Sequence, residues 1–169
     1  MPLTRQGCRS SLSQLRLPIA VRSIFDGHSP HPSLANRCRD PYYIFSAPVE
    51  PPGGRITPLW ECGCVVTAYQ HSSLGRFITF SLEAPGEVTV LGSSFATVTA
   101  ASLISLWEDE VPDKALCEIA ALFEFHQIDR LLSECHFRPR SETPADYYDW
   151  HNRFLQSCEN VAWNRDRSA

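Results

Sequence analysis

The spacing of apolar residues changes at Gly92, and this change constrains the fold more than any other feature of the chain. Before it, residues 76–82 and 87–91 alternate between apolar and polar side chains, which is the pattern of half-buried β-strands. A third β-rich stretch, 62–69, precedes them and contains Gly63, where a bulge is expected. Short, turn-like connections separate the three stretches, so the sequence predicts an antiparallel meander.

After Gly92 the apolar residues recur at every third or fourth position, which predicts helices. Ser93 or Ser94 is suited to cap the first of these helices, and Asp113 is suited to cap the second. An earlier helix is predicted within 12–25, with Pro18 at its start. The predicted buried faces after Gly92 consist of Ala100, Leu103, Ile104 and Trp107; Leu116, Ile119, Ala120 and Phe123; Ile128, Leu131, Leu132 and Cys135; and Tyr147, Trp150, Phe154 and Cys158.

This order of elements predicts an α+β fold, with a small, mainly antiparallel sheet flanked by an N-terminal helix and several C-terminal helices. The chain has 169 residues, of which 43% are hydrophobic, so it can bury one real core. We interpret residues 1–11 as a basic N-terminal extension and 12–137 as a single α+β domain. Residues 138–169 are then a C-terminal helical extension packed on that domain.

The charge and the cysteine content limit the cellular environments and the classes of partner that we expect for the chain. No apolar run is long enough to cross a membrane, and a net charge of −4 argues against a general nucleic-acid binder. The N-terminal residues lack the apolar core of a secretory signal, and the 7 cysteines do not have the even number of a disulfide framework. We therefore predict a cytoplasmic protein that has no membrane partner, contacts no nucleic acid directly and carries no cofactor.

Three stretches carry a resemblance to a known family. They read ITPLWECGCVVTAY over 56–69, GRFITFSLEAPGEVTVLG over 75–92 and SFATVTAASLISLWEDE over 94–110. Their shared features are a Pro-Leu-aromatic entry into a strand, a Gly-led central strand and a Ser-Phe pair that opens a helix after the sheet. On these features the chain resembles the SUKH superfamily, which contains bacterial immunity proteins and fungal regulators of cell-wall synthesis.

The resemblance extends over roughly residues 12–135 and implies both a fold and a function. Residues 17–25 are similar to the family's N-terminal helix element, with Val21 where the family has Tyr. The resemblance implies a helix-flanked sheet that serves as a protein-binding module, with no catalytic residues to carry over. It implies an immunity protein, which binds and occludes a cognate bacterial toxin domain such as a nuclease.

Two groups of residues after Gly92 are candidates for contact with such a partner. The acidic run Glu108-Asp109-Glu110 is either a solvated helix end or an electrostatic surface that steers a basic protein. A group of closely spaced aromatic residues lies further along the chain. Their helical spacing is typical either of a helix face that packs in the core or of a binding hot spot. The predicted partner-binding residues are Glu108, Asp109, Glu110, Tyr147, Tyr148 and Trp150, and neither a catalytic residue nor a metal site is predicted.

Two other functions stay open at this point. The same fold could belong to a regulatory or scaffold protein of a cell-envelope or signalling pathway. A small metal-binding or Cys-dependent enzyme could instead be built on Cys62 and Cys64, two thiols on one face of a predicted strand, with His71 as a third ligand. The sequence contains no Gly-x-Ser-x-Gly, Walker or His-Glu-x-x-His motif that would favour a particular reaction.

Overall fold

A computed structural model describes residues 3–46, 53–72, 74–138 and 143–166, with the side chains of the last helix described as far as residue 159. The chain divides into two compact units, Met1–Leu91 and Gly92–Ala169. The elements are α1 (Arg5–Gln14), α2 (Ile19–Phe25), a 3-10 turn (Pro32–Leu34), α3 (Tyr43–Ser46), β1 (Ile56–Cys62), β2 (Val65–Gln70), β3 (Arg76–Ser81), β4 (Val88–Gly92), α4 (Phe95–Glu108), α5 (Asp113–Leu122), α6 (Ile128–His136) and α7 (Pro144–Asp166). Helices before and after a four-stranded antiparallel sheet confirm the predicted α+β class.

The sheet has the strand order β1-β2-β3-β4, so each strand pairs with the next one along the chain. The predicted strand over 62–69 is wrong at its start. Cys62 pairs with Val65 across a two-residue hairpin loop, in which Gly63 has a φ of 58°. That loop needs a glycine at its first position because side chains disfavour positive φ there. The predicted bulge at Gly63 is therefore a turn, and the register shift lies between Pro58 and Trp60 instead.

Strand β1 was absent from the strands predicted by alternation, and its burial explains why. Six of its seven residues, from Ile56 to Glu61, are buried. A strand that is covered on both faces has no polar face and shows no period of two. Pro58 also reads as a strand breaker unless it lies at an edge or a bulge, and in this strand it lies at both.

The core of the first unit is built on the inner residues of the sheet. Its buried cluster consists of Ile44, Ile56, Val66, Ala68, Ile78 and Phe80. Helices α1 and α2 pack against β1, and Val21 and Phe25 of α2 are fully buried. Pro18 directly precedes α2, as predicted. Helix α1 begins at Arg5 and buries Cys8 and Leu12, so ordered structure starts inside the segment that we interpreted as an extension.

A buried carboxylate joins the irregular chain before β1 to the sheet. The side chain of Glu61 is 2% exposed, and its two oxygens accept hydrogen bonds from the backbone N–H groups of Tyr43 (3.0 Å) and Ile44 (2.8 Å) at the start of α3. Its backbone exchanges two hydrogen bonds of 2.9 Å with Arg39. A buried charge is tolerated where such donors satisfy it. Glu61 therefore fixes both the α3 turn and the segment around Arg39.

The second unit contains the four helices α4 to α7, and most of the predicted faces are confirmed. Ala100, Leu103 and Ile104 are buried, but Leu106 is buried where Trp107 was predicted, and the indole of Trp107 is half-buried. Asp113 was predicted as a cap but is the first residue of α5, after Pro112. The buried residues of the remaining faces are Leu116, Ile119, Ala120, Phe123, Leu131, Cys135, Trp150, Phe154 and Cys158.

The role of Glu61 gives a prediction about stability. We expect Glu61→Gln to lower the free energy of unfolding by about 1–3 kcal/mol, because one acceptor oxygen becomes an NH2 group that faces a buried N–H donor. Denaturant unfolding measures the change. The matched control is Glu87→Gln, the same change at an exposed loop position, for which we expect a shift within about 0.5 kcal/mol. Equal effects at the two positions would contradict the role assigned to Glu61.

Candidate partner-binding surface

The end of α4 and the first turns of α7 bring together residues that are far apart in the sequence. Helix α4 packs against α7. Glu108 is the last residue of α4, and its carboxylate accepts a hydrogen bond from the phenol of Tyr147 in α7. Two of the predicted partner-binding residues are thus in direct contact. We name the group Glu108, Arg138, Tyr147, Trp150 and His151 the C-terminal cluster.

Aromatic contacts hold the C-terminal cluster together. The guanidinium carbon of Arg138 lies 4.6 Å from the ring centre of Tyr147 and 4.3 Å from that of Trp150, within the range of cation–π attraction. The ring of His151 stacks on that of Tyr147, with centroids 5.8 Å apart and planes at 27°. Each ring is therefore packed against a neighbour, which reduces the conformational freedom that binding would have to remove.

Polar contacts between α6 and α7 support the C-terminal cluster at Trp150. The indole N–H of Trp150 donates to Glu134 (2.9 Å), whose other oxygen accepts from Nε of Arg130 (2.7 Å). Arg130 in turn donates to Oγ of Ser157 (2.9 Å), and its guanidinium lies 4.9 Å from the ring centre of Phe154. Trp150 is only 9% exposed, so it supports the surface and offers a partner little of its own area.

The first turn of α7 is fixed by its own cap. The Asp146 carboxylate accepts hydrogen bonds from the N–H (3.1 Å) and the hydroxyl (2.6 Å) of Thr143, and the Thr143 hydroxyl accepts from the N–H of Asp146 (3.2 Å). This reciprocal pair, with Pro144 between them, is a capping box. The hydrogen bonds from Thr143 lower the pKa of Asp146. The cap holds the start of α7, and with it Tyr147, in place.

Burial and local hydrogen bonds set the protonation states of Tyr147 and His151. Burial, followed by the hydrogen bond to Glu108 and the charge of that carboxylate, raises the pKa of Tyr147, so its phenol stays a hydrogen-bond donor. Burial lowers the pKa of His151, and Arg138 lowers it further, while a hydrogen bond that the imidazole donates to the Asn152 side chain and the charge of Glu108 act in the opposite direction. The imidazole of His151 is therefore neutral at neutral pH.

The acidic run continues from the cluster into the solvent. Asp109 ends α4, and Glu110 takes a left-handed conformation with φ 60°. The N–H of Glu110 donates to Trp107 (3.0 Å) and that of Val111 to Leu106 (3.1 Å), which is the Schellman pattern of a helix end. Glu108, Asp109 and Glu110 are all exposed. The predicted acidic run is therefore a defined, solvent-facing helix terminus.

Two aromatic side chains near the cluster face solvent. Tyr148 is 62% exposed, and its ring contacts that of Tyr147 edge to face at 5.4 Å. Phe137, which precedes Arg138 in the chain, is 85% exposed. Exposed aromatic residues beside arginine are the usual composition of binding hot spots. Among the predicted residues, Tyr148 thus offers a partner the largest exposed ring.

Sequence reasoning missed Phe137, Arg138 and His151. Phe137 and Arg138 lie between two predicted helices and belong to no periodic pattern, so nothing in their spacing marks them. His151 carries a signal, because it lies four positions after Tyr147, the spacing that brings side chains together on one face of a helix.

The structure does not bring the residues of the metal or Cys-enzyme alternative together. Cys62 ends β1 and Cys64 lies in the hairpin turn, whereas His71 follows the far end of β2, about 20 Å away at ~3.4 Å per residue. Nε2 of His71 instead pairs with Oγ1 of Thr57 at 2.8 Å. In the part of the chain that the structure describes, no three His, Cys, Asp or Glu side chains are placed to hold a metal ion.

The buried thiols of Cys8, Cys135 and Cys158 are not activated as catalytic nucleophiles. Burial raises the pKa of the thiols of Cys8 and Cys158 to about 11 and of Cys135 to about 12. A nucleophilic cysteine needs the opposite shift, because the thiolate is the reactive form. These three side chains therefore act as small apolar groups of the core.

Comparisons of the chain with protein-family models, with curated proteins and with solved structures gave no match. Over the described residues, no helix combines the length and the apolar character that a membrane span requires.

The state of His151 predicts a pH dependence of stability. Because its pKa is lower in the folded protein, the unfolded chain binds a proton more readily, so stability is lost as the pH falls through about 6.5, the ordinary histidine value. We expect the fall in melting temperature from about pH 7 to about pH 5 to be smaller in His151→Gln than in the wild type.

The matched control is His126→Gln, at an exposed histidine, which should keep the wild-type pH profile. His71 also has a lowered pKa through burial and through Arg55, so part of the wild-type slope should persist in His151→Gln. A slope identical to that of the wild type would contradict the neutral state assigned to the half-buried His151.

Proposed function

We propose that this protein is a non-enzymatic protein-binding module and that the exposed surface around the C-terminal cluster docks its partner. The observation that carries the proposal is the fixed C-terminal cluster, with the exposed ring of Tyr148 packed against Tyr147 and the exposed Phe137 next to Arg138 in the chain. Preorganised aromatic residues lose little entropy on binding and so favour tight association. The raised pKa values of Tyr147 and of the buried thiols support binding over acid–base or nucleophilic chemistry.

The partner that fits this surface is a protein with a basic patch. Glu108 contacts Tyr147, and Asp109 and Glu110 follow it in the chain, so in this proposal the acidic run forms the rim of the interface, where charge acts mainly on the association rate. The same charge is unfavourable for direct contact with the phosphates of nucleic acid. A basic protein domain, such as a nuclease, has the complementary charge.

The resemblance to the SUKH superfamily supports a more specific proposal. In it, the protein is an immunity protein that binds a toxin domain one to one and covers its active site, burying about 1,200–2,000 Å² in total. The protein would act in the cytoplasm, where an incoming toxin meets its target. A regulatory or scaffold role would use the same surface with several weaker partners, so affinity and stoichiometry separate the two functions.

The test of the docking surface uses two tyrosines of nearly equal exposure. Wild-type protein, Tyr148→Ala and Tyr42→Ala serve as baits in the native host's extract, and bound proteins are quantified by mass spectrometry. Tyr148 is 62% exposed and Tyr42 59%, so the two variants remove similar side-chain area from the two different units. We expect one stoichiometric, salt-resistant protein that Tyr148→Ala loses by at least about tenfold and Tyr42→Ala retains.

The immunity function requires one further result. The purified partner should carry an activity that the wild type inhibits at a one-to-one ratio and that Tyr148→Ala inhibits weakly. Several weak partners would favour the scaffold role. A partner that both tyrosine variants retain equally would contradict the surface proposed here.

The acidic rim gives a kinetic prediction with the same partner. We expect the double variant Asp109→Asn/Glu110→Gln to slow association severalfold at low salt and to flatten its dependence on ionic strength, with a smaller change in dissociation. Glu108 is left intact because it holds Tyr147. The control is Glu83→Gln/Glu87→Gln, which removes two exposed acids from the first unit. Unchanged association rates in the rim variant would remove the acidic run from the interface.

A further inference from the structure

The short pairing between Arg39 and Glu61 determines which residues face each other beside it. Their backbones form an isolated antiparallel bridge and exchange both hydrogen bonds at 2.9 Å, so they are a hydrogen-bonded pair. The two segments run antiparallel, so the residue before Arg39 lies opposite the residue after Glu61. These positions are occupied by Cys38 and Cys62.

The geometry of that position suits a covalent bond between the two sulfurs. Next to a hydrogen-bonded antiparallel pair comes a pair without mutual hydrogen bonds, whose Cα atoms are about 4.5 Å apart and whose side chains share one face. Disulfides join Cα atoms that are roughly 4.4–6.8 Å apart. Cys38 and Cys62 thus lie at the kind of opposed positions that a disulfide can span without a large movement of the backbone.

Two further observations place the sulfurs on the same side of β1. Sγ of Cys62 lies 3.9 Å from the carbonyl oxygen of Asn36, in the segment that carries Cys38. Burial raises the pKa of Cys38 to about 12, and the charge of the Cys62 thiolate contributes to that shift, which requires the two sulfurs to be near each other. Cys64 differs, because its sulfur accepts a hydrogen bond from Ser81 of β3 at 3.7 Å.

We propose that Cys38 and Cys62 are a thiol-modification site at which oxidation forms an intramolecular disulfide between the irregular segment and β1. The two thiols lose two electrons and two protons to a small-molecule disulfide such as oxidised glutathione. The half-buried Cys62 thiolate attacks that disulfide and releases one glutathione thiolate. The Cys38 thiolate then attacks Sγ of Cys62 and releases the second, and each released thiolate takes up one proton.

The bond has a defined structural consequence. The segment around Cys38 is held to β1 by the backbone bridge at Arg39 and by the hydrogen bonds of Glu61 near α3. A disulfide between positions 38 and 62 closes a loop in the unfolded chain and so lowers its entropy. Both cysteines belong to the first unit, so oxidation stabilises the attachment of this segment within that unit. The inference is independent of the proposed function.

The experiment uses the full-length reduced protein, incubated with oxidised glutathione and then alkylated. Peptide mapping under non-reducing conditions should give one cross-link between Cys38 and the hairpin. Chymotrypsin is the suitable protease, because Arg37 and Arg39 flank Cys38 and trypsin would leave too short a peptide. Since Cys62 and Cys64 share one chymotryptic peptide, Cys62→Ser and Cys64→Ser form the matched pair that identifies the cross-linked sulfur.

We expect the cross-link and an oxidation-dependent rise in melting temperature in the wild type and in Cys64→Ser. Both should be absent from Cys62→Ser and from Cys38→Ala, and Cys62→Ser keeps the test valid if Cys38→Ala fails to fold. The second step should accelerate as the pH rises toward the high pKa of Cys38. Stable glutathione adducts at Cys62 with no cross-link, or a cross-link that survives Cys62→Ser, would overturn the proposal.

Discussion

The buried carboxylate of Glu61 is the interaction on which the first unit depends. A single residue satisfies the first N–H groups of α3 with its side chain and pairs with Arg39 through its backbone. The irregular chain before β1 has little regular structure of its own, so its backbone groups need partners of this kind. A buried carboxylate is costly unless hydrogen-bond donors satisfy it, and the N–H groups of Tyr43 and Ile44 supply those donors. The backbone pair with Arg39 fixes the register of the two segments. The opposition of Cys38 and Cys62 follows from the same register.

Carboxylates have a similar organising role in the second unit, but at its surface. Glu108 accepts from Tyr147, and Glu134 accepts from Trp150 and Arg130, so each links the last helix to an earlier one. Glu159 near the other end of α7 accepts from the backbone N–H and the hydroxyl of Ser93, ahead of α4. Gly92 permits this contact, because a Cβ there would lie 2.6 Å from the Glu159 carboxylate. The aromatic surface is thus held by hydrogen bonds at several points along α7.

The sequence predicts the helices of the second unit well, because each is buried along one stripe and shows the period of 3.6 residues. It predicts β1 poorly, because a strand that is buried on both faces shows no alternation. For the same reason Cys64 is predicted on a strand face, whereas it lies in the hairpin turn. The acidic run and Tyr148 were predictable as exposed groups near helix ends. Arg138 was not, because its role depends on the two rings that it covers, and those come from the following helix.

The arrangement of the C-terminal cluster bears on how a partner would be recognised. Its buried side, around Trp150, is already satisfied by intramolecular contacts, so association does not need to desolvate those polar groups again. The exposed groups of the described residues there include the large rings of Tyr148 and Phe137 and the carboxylates of the α4 end. Apolar area at the centre of an interface mainly slows dissociation, whereas charge at its rim mainly speeds association. A surface that separates the two in this way can bind both quickly and tightly, which is what neutralising an incoming toxin would demand.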